Sequence, residues 1–397
     1  LAAMLLAGLA TFLLIPRFGP AFASAGRRGR DLLKPGRPEL PESLGLAVAA
    51  IYLVVLFLLI PFPFLRWIEG EDGAGWQFRF PEARLGDMLS ALLSLQSMAL
   101  LGFADDVFDI RWRHKLLLPC VAAIPLLAVY YESGGGTAVM VPLPLRSLLG
   151  SLIDLGPLYY IYMSMMSIFC TNAINILAGI NGLEVGQSVV IAMSIAANDF
   201  LYLGNSDPAA VNAHLFSLHF MLPFIGVSLA LLWHNWFPAR VFVGDTYCYF
   251  AGMTFAVVSI LGHFSKTVLL FFIPQVFNFV YSVPQLFHRV PCPRHRMPKL
   301  NEATGLLEPS EADLKVLSRT GRAIIDLYAR LGMAREAARD PDRPVRSSNF
   351  TLINLLLVHL GPMREDRLCL CIMALQVLGS AIAFWIRYRL VYLAYDQ

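Results

Sequence analysis

The stretch Leu101-Gly-Phe-Ala-Asp-Asp-Val-Phe-Asp-Ile-Arg-Trp-Arg-His-Lys115 separates two apolar runs. The first, Met88 to Phe103, stops at two adjacent carboxylates, Asp105 and Asp106. Asp109, Arg111, Arg113, His114 and Lys115 follow before apolar sequence resumes at Leu116. On a helix, positions 105 and 109 share a face, and Asp106 points about 100° away. A carboxylate at the centre of a membrane helix costs about 2.5–3.5 kcal/mol. Acids followed by cations suit a metal ion, a phosphate or both. The competing reading is a loop whose charges are simply solvated.

Composition decides the class. Of 397 residues, 57% are hydrophobic and 15% charged, and mean hydropathy is +0.61. A soluble domain carries nearer 25% charge, so this is a polytopic membrane protein. A formal net charge of +3 is too small to suggest nucleic acid. The six cysteines show neither zinc spacing nor a disulfide framework. The chain opens at Leu1 rather than Met, and we expect its start to be truncated. The basic cluster Arg17, Arg27, Arg28, Arg30, Lys34 and Arg37 follows the first apolar run. This favours a first span with its N-terminus outside over a cleaved signal.

Apolar windows predict an all-α polytopic fold with ten spans, near 1–16, 44–65, 86–104, 116–131, 149–175, 187–203, 214–233, 247–262, 267–288 and 367–390. Alternation leaves 17–43, 105–115, 176–186, 234–246 and 289–366 inside. These connections hold most of the Lys and Arg, as the positive-inside rule requires. The expected organisation is 1–288 as nine spans with their loops, 289–366 as a small cytosolic insertion, and 367–397 as the last span and tail. Within the insertion, Arg296–Pro309 reads as a short hairpin around Asn301-Glu-Ala-Thr-Gly305. Glu311–Arg339 reads as helical. Thr351–Leu360 reads as an amphipathic surface helix capped by Ser348 or Asn349. Asn349-Phe-Thr351 is a glycosylation sequon, expected unmodified on the cytosolic side.

The unusual polar groups fall at the inner ends of the spans. Phe169-Cys-Thr-Asn-Ala-Ile-Asn175 closes the fifth with Asn172 and Asn175, and Gly179 and Gly182 permit a bend beyond it. Alone, the amides could be interhelical glue. Asp245 stands at the mouth of the eighth span, where an N-cap is the alternative. Arg294-His295-Arg296 opens the long inner loop, where a topogenic basic cluster is the alternative. Together, Asp105, Asp106, Asn175 and Asp245 are oxygen ligands at one membrane face, and Lys115, Arg294 and Arg296 are cations at the same face. That set suits Mg2+, or Mn2+, shared with substrate phosphates, and a diphosphate whose charge must be neutralised. The residues argue a metal-dependent phosphotransferase acting on a lipid. A transporter would place its acids nearer the midplane and in paired halves. A non-catalytic scaffold would tolerate loss of any one acid.

The segments LGFADDVFDIRWRHKLLLP, FCTNAINILAGINGLEVGQS, RVFVGDTYCYFAGMTFAV and PCPRHRMPKLN resemble the polyprenyl-phosphate N-acetylhexosamine-1-phosphate transferase superfamily. Within it they are similar to the eukaryotic UDP-N-acetylglucosamine–dolichyl-phosphate N-acetylglucosamine-1-phosphotransferases. DD, NxxN with NGLE, and GD are signals of the superfamily; PRHR and RWRHKLLLP are those of this branch. The chain departs at Asp109 and Arg30, where close relatives carry Asn and Gln. The resemblance implies ten helices, a homodimer in the endoplasmic reticulum membrane, and an active site on the cytosolic face. The implied reaction joins UDP-GlcNAc and dolichyl phosphate into GlcNAc-diphosphodolichol and UMP, the first step of lipid-linked oligosaccharide synthesis for N-glycosylation. A related transferase with another acceptor or sugar is the alternative.

By motif, Asn175 and Asp245 would hold Mg2+, and Lys115 and Arg294 the diphosphate. Asn181 and Phe242 would hold uracil, and Arg30, Asp31, Leu32 and Glu42 would make further contacts on the nucleotide side. His295, Arg296 and Trp112 would line the sugar pocket, and Asp109 would lie near the phosphates. The stretch Phe169 to Ile176, with Asn172, would line the path of dolichyl phosphate. Asp105 and Asp106 would adjust proton and charge balance, or one of them would form a covalent phosphoryl intermediate.

Overall fold

The computed structural model describes residues 1–64, 82–108, 110–292, 297–314, 318–335 and 346–391, without the side chains of Phe64, Trp112 and Arg113. The chain is mostly helical, and among the described residues five helices are long and apolar enough to cross a membrane: Ala2–Ser24, Glu82–Phe108, Leu183–Tyr202, Pro208–Asn235 and Glu365–Leu390. Gly45–Leu59 and Leu118–Glu132 are shorter apolar helices. Their outward faces carry Leu5, Leu100, Trp233 and Leu370, all more than half exposed. In water such a surface would be an aggregation liability; against acyl chains it is what a spanning bundle requires.

Helix Gly244–Leu261 sits at the centre. Every residue from Thr246 to Ile260 is buried, and Tyr247, Tyr249, Phe250 and Phe255 are among the largest fully buried side chains. A helix apolar on all sides has no solvent face, so neighbours must surround it. Glu82–Phe108, Pro157–Ile176 and Gly45–Leu59 do so. Apolar burial alone gives little drive for helix association in lipid, so close backbone approach carries more of the packing. At Gly252 a Cβ would stand 2.4 Å from the Cys170 carbonyl oxygen. This contact fixes the helix bearing Asn175 against the helix bearing Asp245.

Several boundaries differ from the hydropathy reading. The first helix continues to Ser24. The fifth begins at Pro157, not 149, because Gly150 and Gly156 adopt positive φ and proline favours the first turn. The residues before it pair as a ribbon, Ala138–Met140 with Leu152–Asp154. The ninth divides into Ser265–Leu270 and Ile273–Leu286, with Pro274 opening the second piece. The fold is not purely helical, since among the described residues four two-stranded antiparallel ribbons accompany the helices. One, Arg28–Arg30 with Glu39–Pro41, folds the first inner loop back on itself.

Between the last two long helical segments, the expected hairpin forms from Lys299–Asn301 and Leu306–Glu308. The segment expected as one helix from Glu311 begins instead as a strand. Glu311–Asp313 pairs with Arg346–Ser348, and the helix is Arg319–Arg330. Helix Leu352–Leu360 is capped by Thr351, whose hydroxyl accepts from Asn354 N at 3.3 Å, rather than by Ser348 or Asn349. This region docks on helix Ile273–Leu286: Asn278 and Gln285 accept from the backbone of Leu352 and Phe350 at 2.8 and 2.9 Å. Asn349 is fully buried, so its sequon offers no acceptor in the folded chain.

Buried amides also join the helices. Gln275 donates to Gln187 and Gln376 at 2.8 and 2.7 Å, and Gln187 donates to the Leu177 carbonyl at 2.7 Å. All six cysteines are free. Gly252→Ala should lower the thermal midpoint of detergent-solubilised protein, an overpacking cost of about 1–3 kcal/mol. Gly204→Ala, where a Cβ meets nothing within 4 Å, should leave it in place; equal midpoints for the two variants would contradict this account of the core.

Candidate active site

Helix Glu82–Phe108 delivers the acidic pair to the N-terminus of helix Gly244–Leu261, and the two acids part there. Asp105 is buried. Its Oδ2 lies 2.8 Å from Lys115 Nζ and accepts from Tyr249 Oη at 2.9 Å, while its Oδ1 accepts from Ile110 N at 3.0 Å. Asp106 turns to the neighbouring helix. Its Oδ1 accepts from Asp245 N at 2.6 Å, and its Oδ2 accepts from Thr246 N and the Thr246 hydroxyl. Helix N-termini leave backbone N–H groups unpaired, and Asp106 caps this one from another helix. Gly244 makes the approach feasible: its φ is +73°, and a Cβ there would lie 2.4 Å from Asp106 Oδ2. Asp245 is therefore not the cap. It sits in the first turn with its carboxylate free to bond Lys115 Nζ at 2.9 Å.

One ammonium thus joins two carboxylates from two helices. Burial alone would lower the Lys115 pKa, but Asp245 and Asp105 outweigh it and hold the ammonium above its ordinary value. Asp245, about a third exposed, lines a cavity of about 410 Å³. Arg30, Asp31, Leu32, Glu42, Asn175, Asn181 and Phe242 line it too, so eight of the expected residues meet around one space. Glu184, the last residue of NGLE, shares the lining, as do Asn235, Met297 and Glu365, to which no role was assigned from sequence. Asn235 accepts from Gly182 N at 3.1 Å and Glu184 from Gly179 N at 3.0 Å, which shapes the 177–182 turn. Phe242 bonds the first inner loop through its backbone, donating to the Pro41 carbonyl at 2.7 Å.

Other expected residues lie elsewhere. Phe169, Asn172 and Ile176 are not in this lining. Asn172 donates back to the Ile168 carbonyl at 2.9 Å, and Phe169 meets the Phe272 ring at 5.6 Å. Asp109, Arg294, His295 and Arg296 lie outside the described residues, as does the side chain of Trp112. Among the described residues no group of three His, Cys, Asp or Glu side chains stands together as a metal cluster. The Asn175 side chain has no hydrogen-bond partner among them either, while Asp245 bonds Lys115 through Oδ2 and lies within reach of the Asp105 carboxylate. The Asn175 amide and the Asp245 carboxylate on one cavity, with Asp105, Asp106 and Lys115 beside them, fit a hard divalent cation that also takes oxygens from a ligand.

The glycosyl transferase family 4 model matches residues 88–263, which include both the acidic pair and Asp245. The chain is 50% identical to a UDP-N-acetylglucosamine–dolichyl-phosphate N-acetylglucosaminephosphotransferase of Schizosaccharomyces pombe, over 99% of this chain and 92% of that one. The chain belongs to this family. It is also 52% identical to the enzyme of that name from Saccharomyces cerevisiae, over 93% of this chain and 86% of the relative. With the Dictyostelium discoideum enzyme the identity is 46%, over 96% and 87%. The family resemblance read from the DD, NGLE, GD and PRHR segments is thereby borne out, and the chain is a multi-pass membrane glycosyl-1-phosphate transferase.

Glu42 gives a test of the site's charge balance. Burial raises its pKa, Asp245 adds to the rise and Arg27 opposes it. A raised carboxyl favours the protonated folded state, so the ionised form costs stability at neutral pH and the cost vanishes toward pH 4.5. Glu42→Gln should unfold at a higher temperature than the parent at pH 7.5, with the margin closing as pH falls. A margin of opposite sign, or one independent of pH, would contradict this electrostatic picture.

Proposed function

We propose that the chain transfers N-acetylglucosamine 1-phosphate from UDP-GlcNAc to dolichyl phosphate, releasing UMP. It would act as a ten-span protein of the endoplasmic reticulum membrane with its site on the cytosolic face. The observation that carries the reading is the Lys115 bridge between Asp105 and Asp245 at a cavity that also gathers Asn175, Asn181 and Phe242. Asp245, which Lys115 bonds, and Phe242 line the same space, which suits a phosphate beside a base. The basic loop 17–43 contributes Arg30 and Asp31 to the same lining, which supports the cytosolic assignment through the positive-inside rule.

Asn175 and Asp245 would hold Mg2+, which when bound supplies neutralising charge to the diphosphate. Lys115 would bind diphosphate oxygens, with Asp105 and Tyr249 fixing its direction. Phe242 would stack on uracil. In the transfer, an oxygen of dolichyl phosphate forms a bond to the GlcNAc-bearing phosphorus. The bond from that phosphorus to the bridging oxygen breaks, and that oxygen leaves with UMP. A phosphate monoester is largely ionised at neutral pH, so no general base is required. The bonding of the two acids favours this single displacement over a covalent intermediate, because both oxygens of Asp105 and both of Asp106 are engaged by protein donors. Phe169, Asn172 and Ile176 fall on one face of helix Pro157–Ile176 and would guide the lipid. Arg294 would join Lys115 on the diphosphate, with His295 and Arg296 toward the sugar within a cytosolic 289–366 unit.

Purified protein should release UMP from UDP-GlcNAc only when dolichyl phosphate and Mg2+ are both present, and Asp245→Asn should lower turnover by roughly 100-fold or more. Labelled UMP should not exchange into UDP-GlcNAc without lipid. Exchange in its absence would overturn the single displacement, and full activity in Asp245→Asn would return that residue to a structural role.

A further inference from the structure

Asn181 lines the cavity in a turn held between Gly179 and Gly182, both at positive φ. Its side chain is almost fully committed. Oδ1 accepts from Lys34 Nζ at 3.1 Å and from Ala239 N at 3.0 Å, using both lone pairs. Nδ2 donates one N–H to Asp31 Oδ2 at 3.3 Å. One amide N–H is left. The alternative amide orientation would set NH2 against two donors and the carbonyl oxygen against a carboxylate, so three neighbours oppose a flip.

Lys34 is itself fixed. Its ammonium also bonds Glu365 and lies 3.4 Å from Asp31 Oδ2, so its three N–H groups face three acceptors. The Phe237 ring lies 4.4 Å away. Glu365, buried at the start of the last long helix, also accepts from Asn181 N at 2.6 Å. The Lys34 side chain is only 13% exposed. It therefore links the first inner loop, the 177–182 turn and the last helix around one amide.

We infer that Lys34 is a specificity-determining positioning residue: by fixing the Asn181 amide it leaves one N–H of that side chain for the cavity, which selects a nucleobase carrying a carbonyl over one carrying an amino group. This rests on the reading that the cavity takes the base of a nucleoside-diphosphate sugar at Asn181. A uracil carbonyl can accept from that N–H. The amino group that cytosine carries in place of one carbonyl would set donor against donor, and a site built around a hydrogen bond rejects the mismatched analogue strongly. With Lys34 removed, one lone pair of Asn181 is unpaired and the amide can reorient toward either base.

The test is the ratio of UMP to CMP affinity, measured by calorimetry on the full chain in detergent with Mg2+. The parent should prefer UMP strongly. Lys34→Met should reduce that preference by about ten-fold or more, while Lys34→Arg, which keeps a donor, should retain most of it. Thermal unfolding without nucleotide identifies any variant that fails to fold, and Glu365→Gln, which loosens the Lys34 anchor while keeping its shape, then takes the place of Lys34→Met with the same expected fall. A parent preference that persists unchanged in Lys34→Met, or in Glu365→Gln where it replaces that variant, with both affinities falling in parallel, would overturn the inference alone. A parent that does not discriminate UMP from CMP would overturn the reading of the cavity as well.

Discussion

The structure depends on one ammonium between two carboxylates. Lys115 Nζ lies 2.8 Å from Asp105 and 2.9 Å from Asp245, and the three residues come from three separate helices. Asp105 is held by Tyr249 and Ile110 N, so the lysine has one direction available. Removing one partner of a buried ion pair leaves an uncompensated charge and costs several kcal/mol. The carboxylates around that ammonium offer oxygens of the kind a hard divalent cation takes.

The pair of adjacent acids is then a division of labour by helix geometry. Residues one apart point about 100° from each other, so Asp105 and Asp106 face different neighbours. Asp105 orients a cation; Asp106 closes the N-terminus of the central helix and so places Asp245. Gly244 is the point where this works, since its left-handed backbone and missing side chain admit the Asp106 carboxylate. The kinship with the fungal and slime-mould enzymes agrees with the phosphoryl-transfer chemistry that these contacts suggest.

Much of the site was legible in the sequence because its residues violate their surroundings. Asp105, Asp106, Asn175 and Asp245 interrupt apolar runs, where a polar group is expensive without a purpose. Their partition was not legible: the hydrogen bonds of Asp106 reach residues 139 and 140 positions away, and no local pattern encodes them. Lys34 and Glu365 looked ordinary for the same reason, being 331 positions apart in loops already rich in charge. Hydropathy located the helices but misplaced ends wherever apolar residues continued through a turn, as at 149–156 and near Phe272. The helices themselves follow from burial on all sides; the buried Gln187–Gln275–Gln376 chain reads in sequence only as three polar positions inside spans.

The central claim is that Asp105 acts through Lys115. Turnover of UDP-GlcNAc in Asp105→Asn, Lys115→Met and the double variant forms a cycle that isolates their coupling. The account predicts that Asp105→Asn is costly in the parent and adds little once Lys115 is gone. Losses that multiply in the double variant would show that Asp105 acts on the substrate independently, and would contradict it.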